Sequence, residues 1–219
     1  LGVLLGGIDG AVDGRVVVIG AGVAGSPAAA VAAELGAQVD VLDLKQDKLD
    51  VLKRQYPSIC THISSPELIE ELCLQADLVV GAVLVAGRRA PVILKQSVVS
   101  RMNPGSVIVD ISIDQGGCVE GIRTTTSEEL CYVDNGIILS AVPNMPAAVA
   151  RTSSQALSSA ILPYVVELAG CSAEALARLP EHCEQKVQAL YHARAVHRGE
   201  IVDEVLQQEV NSASTESTG

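Results

Sequence analysis

The stretch RVVVIGAGVAGSPAAAVAAELGAQVDVLD, which runs from Arg15 to Asp43, decides the fold of this chain. It combines an apolar β-branched run, three glycines spaced as GxGxxG, an alanine-rich segment and a second apolar run that ends in an acid. This order is typical of a strand, a tight phosphate-binding turn, a helix and a second parallel strand. The stretch therefore predicts the βαβ unit of a dinucleotide-binding Rossmann fold.

Each glycine of this motif has its own predicted role. Gly20 permits the tight turn, Gly22 lets the backbone approach a pyrophosphate, and Gly25 lets the following helix pack closely on the strand. The helix, predicted from about Ala24 to Leu35, directs its free N–H groups and positive dipole end at the phosphates. A glycine-rich turn in an α/β protein that binds no nucleotide is the alternative.

Asp43, which closes the second apolar run, predicts which nucleotide is bound. It lies 18 positions after Gly25, about where an acid holds the adenosine ribose in this kind of fold. A carboxylate there accepts hydrogen bonds from both ribose hydroxyls and repels a 2′-phosphate. The sequence therefore favours NAD over NADP.

The composition restricts the class of protein. Of the 219 residues, 48% are hydrophobic but only 2% are aromatic, with no Trp or Phe, so the core must consist of Val, Leu, Ile and Ala. Such a core suits parallel strands that are buried on both faces. The net charge of −11 argues against nucleic acid and anionic membranes as partners. Since no apolar run reaches about 18 residues, no transmembrane helix is expected.

The six cysteines and the start of the chain bear on its location. The cysteines form no CxxC or Cys/His metal pattern, so we expect no metal and interpret them as buried free thiols in a reducing cytoplasm. The chain starts at Leu1 without a signal peptide. An arbitrary boundary or a missing preceding domain would each explain this start.

Apolar runs that alternate with helical patterns predict a doubly wound parallel sheet. Further strands are predicted at Cys60–Ile63, 76–83 and 106–113, and a last strand combines residues 132–133 with residues 136–142. After Val149 the pattern becomes helical: Thr152-Ser153 is predicted to cap a helix to about Ala169, a second helical region covers 172–191, and one short helix lies within 199–210. We therefore predict a Rossmann domain over 1–150, a helical C-terminal segment over 151–210 and a disordered tail over 211–219.

Several strings outside the glycine motif carry a resemblance to a known family. They are GVLLGG (2–7), GAVLVAGRRAP (81–91), PGSVIVDISIDQGGCVE (104–120), RTTT (123–126) and PNMPAAVART (143–152). From about Gly2 to Ala169 the chain resembles the alanine dehydrogenase/pyridine nucleotide transhydrogenase family, and the IDQGGC and NMP strings favour its alanine dehydrogenase branch. The resemblance implies NAD-dependent interconversion of L-alanine with pyruvate and ammonia by a homo-oligomer, commonly a hexamer, in the cytoplasm.

Two residues at predicted strand ends are candidates for the chemistry. Asp114 follows a central strand, at the edge where open α/β sheets bind ligands, and a carboxylate there can act as acid or base on water, amine or carbinolamine. It resembles the catalytic Asp of the family; a turn-capping acid is the alternative. Asn144 can bond the nicotinamide amide or the substrate, or can form an Asx turn before Pro146.

The resemblance implies further contacts to NAD and also shows what the chain lacks. The cofactor contacts are Gly20, Gly22, Val23, Ala24, Gly25, Asp43, Lys48, Ser64, Val83, Leu84, Ile111, Ser112, Ile113, Arg123, Val142, Pro143, Asn144 and Met145. In the family, an Arg and a Lys bind the substrate carboxylate and a His serves the chemistry, all from an N-terminal domain to which no residue here can be matched. The chain is therefore interpreted as the nucleotide-binding part of such an enzyme, whose helical segment would pack on that domain. A transhydrogenase-like NAD(H) domain and a non-catalytic NAD module are the alternatives.

Overall fold

The computed structural model describes residues 2–85, 87–170, 185–197 and 199–216. The chain forms two compact units, Leu1–Asn144 and Met145–Gly219. The first unit contains the predicted nucleotide-binding sheet. The second begins six residues before the predicted domain boundary at 151.

The first unit is built on one seven-stranded sheet. Its strands are β1 (Arg15–Ile19), β2 (Gln38–Asp43), β3 (Cys60–Ile63), β4 (Leu78–Gly81), β5 (Val107–Asp110), β6 (Tyr132–Asp134) and β7 (Ile137–Ser140). They are arranged in the order β3-β2-β1-β4-β5-β7-β6. All neighbouring strands are parallel except β6 and β7. The prediction of a doubly wound, mainly parallel sheet is therefore confirmed.

Helices pack on the sheet through two separate hydrophobic clusters. The helices of this unit are α1 (Gly25–Glu34), α2 (Gln46–Gln55), α3 (Pro66–Cys73) and the short α4 (Gln96–Val99). Successive residues of β1 belong to opposite clusters, as the alternation of side chains along a strand requires. Val16 and Val18 share one cluster with α1 and α2. Val17 and Ile19 share the other with α3 and α4.

Two segments of the sheet differ from the sequence-based expectation. The strand predicted over 106–113 ends at Asp110, and Ile111–Gln115 form a 3₁₀ turn. The side chain of Asp110 accepts the N–H of Ser112 and so turns the chain out of the strand. The predicted last strand is in fact the antiparallel hairpin β6–β7. Its two-residue turn places Asn135 and Gly136 at φ values of 48° and 82°, as the Asn-Gly turns of hairpins require.

The second unit is helical with one small hairpin. A 3₁₀ turn (Met145–Val149) leads into α5 (Ala150–Gly170), followed by α6 (Gln185–His192), β8 (Val196–His197), β9 (Glu200–Ile201) and α7 (Glu204–Glu216). Thr152 and Ser153 lie inside α5 and do not cap it, because the helix begins earlier. The hairpin β8–β9 was not predicted. Residues 211–216 continue α7 rather than forming a disordered tail, and the predicted helix over 172–184 lies outside the described residues.

The cysteines follow the prediction only in part. Cys73 and Cys118 are buried, and burial raises the pKa of each thiol to about 12. Cys60 and Cys131 are free but exposed, so the prediction of buried thiols is wrong for these two, which lie on an edge strand and before β6. Cys171 and Cys183 lie outside the described residues.

The described part of the chain contains neither a candidate membrane-spanning helix nor a candidate metal site. None of its helices is both long and apolar enough to span a lipid bilayer. Among the same residues, no group of His, Cys, Asp and Glu side chains is arranged to hold a metal ion.

The close approach of α1 to β1 depends on glycine. A Cβ on Gly25 would overlap the carbonyl oxygen of Gly20 and lie 3.2 Å from the Cβ of Ala82. Gly20 itself has a φ of 108°, and a Cβ there would overlap the carbonyl oxygen of Ala82. By contrast, a Cβ on Gly22 would meet no atom within 4 Å.

This difference predicts opposite outcomes for two alanine substitutions. Gly25→Ala should lower the free energy of unfolding by about 3 kcal/mol or more, because the added methyl group must displace rigid backbone. Gly22→Ala should change it by less than about 0.5 kcal/mol, because the methyl group enters open space. Urea denaturation of the two variants and the unmodified chain measures both values. Equal destabilisation would contradict the packing described here.

Candidate functional site

The carboxyl ends of six parallel strands meet at one edge of the sheet. Most of the residues predicted to form the site follow one of these ends: the glycine turn after β1, Asp43 at the end of β2, Ser64 after β3, Val83 and Leu84 after β4, Ile111–Asp114 after β5, and Val142–Asn144 after β7. In open α/β sheets, ligands bind in the crevice outside this edge. Hydrogen bonds connect most of these segments to one another.

The glycine turn is held between β2 and β4. The N–H of Gly20 donates to the carbonyl of Leu42 at 2.7 Å, and the N–H of Ala82 donates to the carbonyl of Ile19 at 2.8 Å. Helix α1 begins at Gly25 after Ala24, and no side chain caps its N-terminus. The N–H groups of the first turn can therefore bond an anion, and the open space beside Gly22 leaves room for it.

Asp43 connects the glycine turn to α2. Its Oδ2 accepts the N–H of Ala21 at 2.8 Å, and its Oδ1 accepts the N–H of Lys45 at 2.9 Å. The ammonium group of Lys48 lies 3.5 Å from Oδ2. On the other side, the N–H of Ser64 donates to the carbonyl of Asp43 at 3.0 Å. Each carboxylate oxygen retains acceptor capacity, so the group can also accept hydrogen bonds from a ribose.

The segments after β4 and β5 are joined by a serine. The hydroxyl oxygen of Ser112 accepts the N–H of Val83 at 2.9 Å. Ser112 is buried, as is its neighbour Ile113. This bond connects the β4 end of the edge, next to the glycine turn, with the turn that carries Asp114.

The buried side chain of Asp110 holds the turn that carries Asp114. Its side chain is fully buried, and it accepts the N–H of Ser112 at 2.9 Å, of Cys118 at 2.7 Å and of Val119 at 3.1 Å. The thiol of Cys118 also donates to it at 3.6 Å, and burial together with this carboxylate raises the thiol pKa to about 12. Asp110 is therefore a structural acid whose carboxylate is bonded by backbone N–H groups.

Asp114 lies on the exposed side of the same turn, next to the end of β7. Its two carboxylate oxygens accept the N–H of Asn144 at 3.0 and 3.2 Å. Asn144 adopts a φ of 51°, a conformation that Asn tolerates better than most residues. The two residues predicted to serve the chemistry are thus in direct contact. Asp110 ends β5, whereas Asp114 lies in the 3₁₀ turn that follows, so the two aspartates do not share a strand face.

The residues present fit a dinucleotide. Two large apolar side chains stand exposed at this edge, Val23 at 98% and Leu84 at 75%. Planar rings of a nucleotide could cover such surfaces. Together with the N–H groups at the start of α1 and the carboxylate of Asp43, the edge offers apolar, anion-binding and hydroxyl-binding groups in one crevice.

Two predicted contacts are not joined to the others by these bonds. The guanidinium of Arg123 lies 3.8 Å from the centre of the Tyr132 ring and 3.6 Å from Glu129, and the side chain is directed at that pair. Met145 begins the second unit. For these two residues, as for every other predicted contact, binding of the cofactor stays a prediction.

Two polar groups beside the site, the N–H of Ala21 and the Oε1 atom of Gln115, were not predicted from the sequence. The N–H of Ala21 binds Asp43, and only the spacing of Asp43 from the glycine motif could have indicated such a contact. The Oε1 atom of Gln115 is buried and accepts no hydrogen bond within the described part of the chain. Its position next to Asp114 in a glycine-rich turn was the available signal.

Comparisons with known proteins agree with this architecture. A sequence model described as "Alanine dehydrogenase/PNT, C-terminal domain" matches residues 1–204. The alanine dehydrogenase of Halomonas elongata is 48% identical over 169 residues, which are 77% of this chain and 46% of that protein. The alanine dehydrogenase of Mycolicibacterium smegmatis is 42% identical over 217 residues, which are 99% of this chain and 57% of that protein.

Solved structures show the same similarity. An L-alanine dehydrogenase superposes with a TM-score of 0.80 at 40% identity, over 96% of this chain and 56% of that one. A transhydrogenase from Sinorhizobium meliloti shares the fold, with a TM-score of 0.64 at 24% identity over 92% of this chain and 53% of that one. The chain spans about half the length of the relatives it matches. It therefore belongs to the alanine dehydrogenase/PNT family of oxidoreductases, and it corresponds to the NAD(H)-binding C-terminal domain of that family.

Proposed function

We propose that this chain provides the nucleotide-binding part of an NAD-dependent alanine dehydrogenase, which converts L-alanine, NAD⁺ and water to pyruvate, ammonia and NADH. The observation that carries the proposal is the contact between Asp114 and Asn144 at the same sheet edge as the glycine turn and Asp43. The edge thus combines a nucleotide crevice with an exposed carboxylate. The identity of 42–48% to alanine dehydrogenases supports this substrate class.

Within this function, Asp43, Lys48, Ser64 and the glycine turn hold the adenosine and pyrophosphate groups. The path toward the nicotinamide is lined by Val83, Leu84, Ile111–Ile113 and Val142–Asn144, and Arg123 adds a contact from the loop before β6. The chemistry that NAD⁺ supplies when bound is acceptance of the hydride that leaves the α-carbon of alanine. The described bonds between strand ends hold this edge in place before any ligand binds.

Asp114 is the proposed acid and base. In alanine oxidation, loss of the hydride leaves an imine, and the carboxylate of Asp114 takes a proton from the water that forms a C–O bond to the imine carbon. It then gives a proton to the nitrogen of the resulting carbinolamine, whose C–N bond breaks to release ammonia while the hydroxyl loses its proton and becomes the carbonyl of pyruvate. The N–H of Asn144 holds the carboxylate in place through both of its oxygens. Because Asp114 is exposed, it can reach a substrate in the crevice.

The groups that bind the substrate carboxylate are proposed to come from an N-terminal domain, as the half-length match to the relatives suggests. The helical segment over 151–210 would pack on that domain within a homo-oligomer, which is a hexamer in the family, and in the cytoplasm. A transhydrogenase-like domain and a non-catalytic NAD module are the alternatives, and alanine turnover by the fused enzyme separates the proposed function from both.

Nucleotide binding by the 219-residue chain is the first test. We expect NADH to bind more tightly than NADPH, because the carboxylate of Asp43 accepts from the ribose hydroxyls and repels a 2′-phosphate. Asp43→Ala should weaken this preference and leave the chain folded, since the residue lies at a strand end. Calorimetric titration with both nucleotides measures the ratio. Equal affinities for the unmodified chain would overturn the role given to Asp43.

Alanine turnover is the second test. The chain alone should oxidise L-alanine with NAD⁺ slowly or not at all, because it lacks the proposed carboxylate-binding residues. Fusing the N-terminal half of the Halomonas elongata enzyme ahead of it should restore NADH production. Full turnover by the chain alone would require a substrate site within it. Loss of NADH binding in the fusion would make the result uninformative, so binding is measured in parallel.

Substitution of the two aspartates in the fused enzyme separates chemistry from stability. Asp114→Asn should lower kcat by about 10²–10⁴-fold, the usual effect of losing a general acid or base, with little change in NADH affinity. Asp110→Asn should lower the free energy of unfolding by about 2–3 kcal/mol, because an amide group must face a backbone N–H in place of a carboxylate oxygen.

Steady-state rates, NADH titrations and melting curves of both variants provide these values. If Asp114→Asn retained near-normal turnover while a well-folded Asp110→Asn lost it, the catalytic role would have been assigned to the wrong aspartate.

A further inference from the structure

Lys48 is paired with the residue that selects the nucleotide. It lies in the first turn of α2, and its ammonium group is 3.5 Å from Oδ2 of Asp43. The Lys48 side chain is 41% exposed, whereas that of Asp43 is only 10% exposed. The cation therefore reaches inward from α2 to the point where the adenosine ribose is expected.

Space for a further group lies beside this ion pair. A cavity of about 230 Å³ is open to solvent between α1 and α2, and Ala21, Ser26, Asp47, Lys48 and Gln55 are among its lining residues. Lys48, Ser26 and Gln55 offer hydrogen-bond donors to this space, and Asp47 contributes an opposing carboxylate. Two of the lining residues, Ala21 and Lys48, contact the carboxylate of Asp43, so the cavity is separated from that carboxylate by one residue.

We propose that Lys48 is a latent ligand for the 2′-phosphate of NADP(H), which Asp43 holds in an ion pair in the unmodified chain. The inference rests on the proposed nucleotide function. Asp43 then has two effects on selectivity. The charge of Asp43 repels a 2′-phosphate, and its ion pair with Lys48 occupies the ammonium group that would attract one. Lys48 is thus a residue that determines specificity through its partner.

Removal of Asp43 should reveal this second effect. The ammonium group of Lys48 and the N–H of Lys45 both lose the carboxylate that they contact. A 2′-phosphate brings about two negative charges and several acceptor oxygens, and a lysine ammonium binds such a group as a point charge. A smaller residue at position 43 should therefore raise the affinity for NADPH in two ways. It removes the charge that repels the 2′-phosphate, and it leaves Lys48 free to bind that phosphate.

Four variants of the 219-residue chain test the proposal: Asp43→Ala, Lys48→Met, and Asp43→Ala combined with either Lys48→Met or Lys45→Met. Lys45 is the matched control, because it has the same charge and lies nearby, but contacts Asp43 through its backbone only. Calorimetry with NADH and NADPH is carried out at low and high salt. In the Asp43→Ala background, Lys48→Met should weaken NADPH binding about tenfold, the effect expected for one partly exposed charge-assisted bond.

The other arms define what would overturn the proposal. Lys45→Met in the same background should change NADPH affinity by less than about threefold at high salt, since it removes only a long-range charge effect, which salt screens. In the Asp43→Ala background, Lys48→Met should weaken NADPH binding more than it weakens NADH binding, because only NADPH carries the 2′-phosphate. Equal losses from Lys45→Met and Lys48→Met would show that net charge alone acts, and no loss from Lys48→Met would also contradict the proposal.

A replacement variant and the binding of NADH by the unmodified chain distinguish the possible failures. If Asp43→Ala fails to fold, Asp43→Ser replaces it in every comparison, because the serine hydroxyl can accept one of the two backbone N–H groups. If the unmodified chain binds neither nucleotide, the proposed function itself fails. If it binds NADH and only the Lys48 comparison fails, the proposed function stands and this inference alone is overturned.

Discussion

The approach of α1 to the first strand is the constraint on which the rest of the site depends. It is possible only because Gly25 has no side chain to strike the carbonyl of Gly20, and Gly20 none to strike that of Ala82. The same approach aims the uncapped N-terminus of α1 at the carboxyl edge of the sheet. A packing requirement between backbones therefore creates the place where a pyrophosphate can bind, and Gly22 keeps that place open.

Two aspartates maintain the rest of the edge, and they do so in different environments. Asp110 is buried and satisfied by backbone N–H groups, so its role is to shape the turn after β5. Asp43 lies at the surface of the crevice and joins the glycine turn to α2 through one carboxylate. Since both carboxylates bind main-chain N–H groups, they position loops that carry no regular secondary structure of their own. Asp114, to which the proposed function assigns the chemistry, is exposed beside them.

The family relationship and the geometry together support the proposal that this chain is the nucleotide-binding part of an enzyme. The sheet edge presents groups for a dinucleotide and one acid, and the relatives are about twice as long as the matched region. If a second domain holds the substrate carboxylate, as proposed, the exposed edge is the surface that faces it. Apolar residues also project from α5, where Leu157, Leu162 and Val166 are each at least 60% exposed.

The sequence by itself determined the first half of the sheet and the nucleotide class. GxGxxG, the apolar runs and Asp43 are local signals, since strand period, turn glycines and spacing are all properties of neighbouring residues. Only the tertiary structure decided where β5 ends, because the bonds from the buried Asp110 to Cys118 and Val119 join residues separated by a glycine turn. It likewise decided the contact of Asp114 with Asn144 and the pairing of Lys48 with Asp43. Those contacts depend on which strands are adjacent and on the angle at which helices leave them, which periodicity along the chain does not encode.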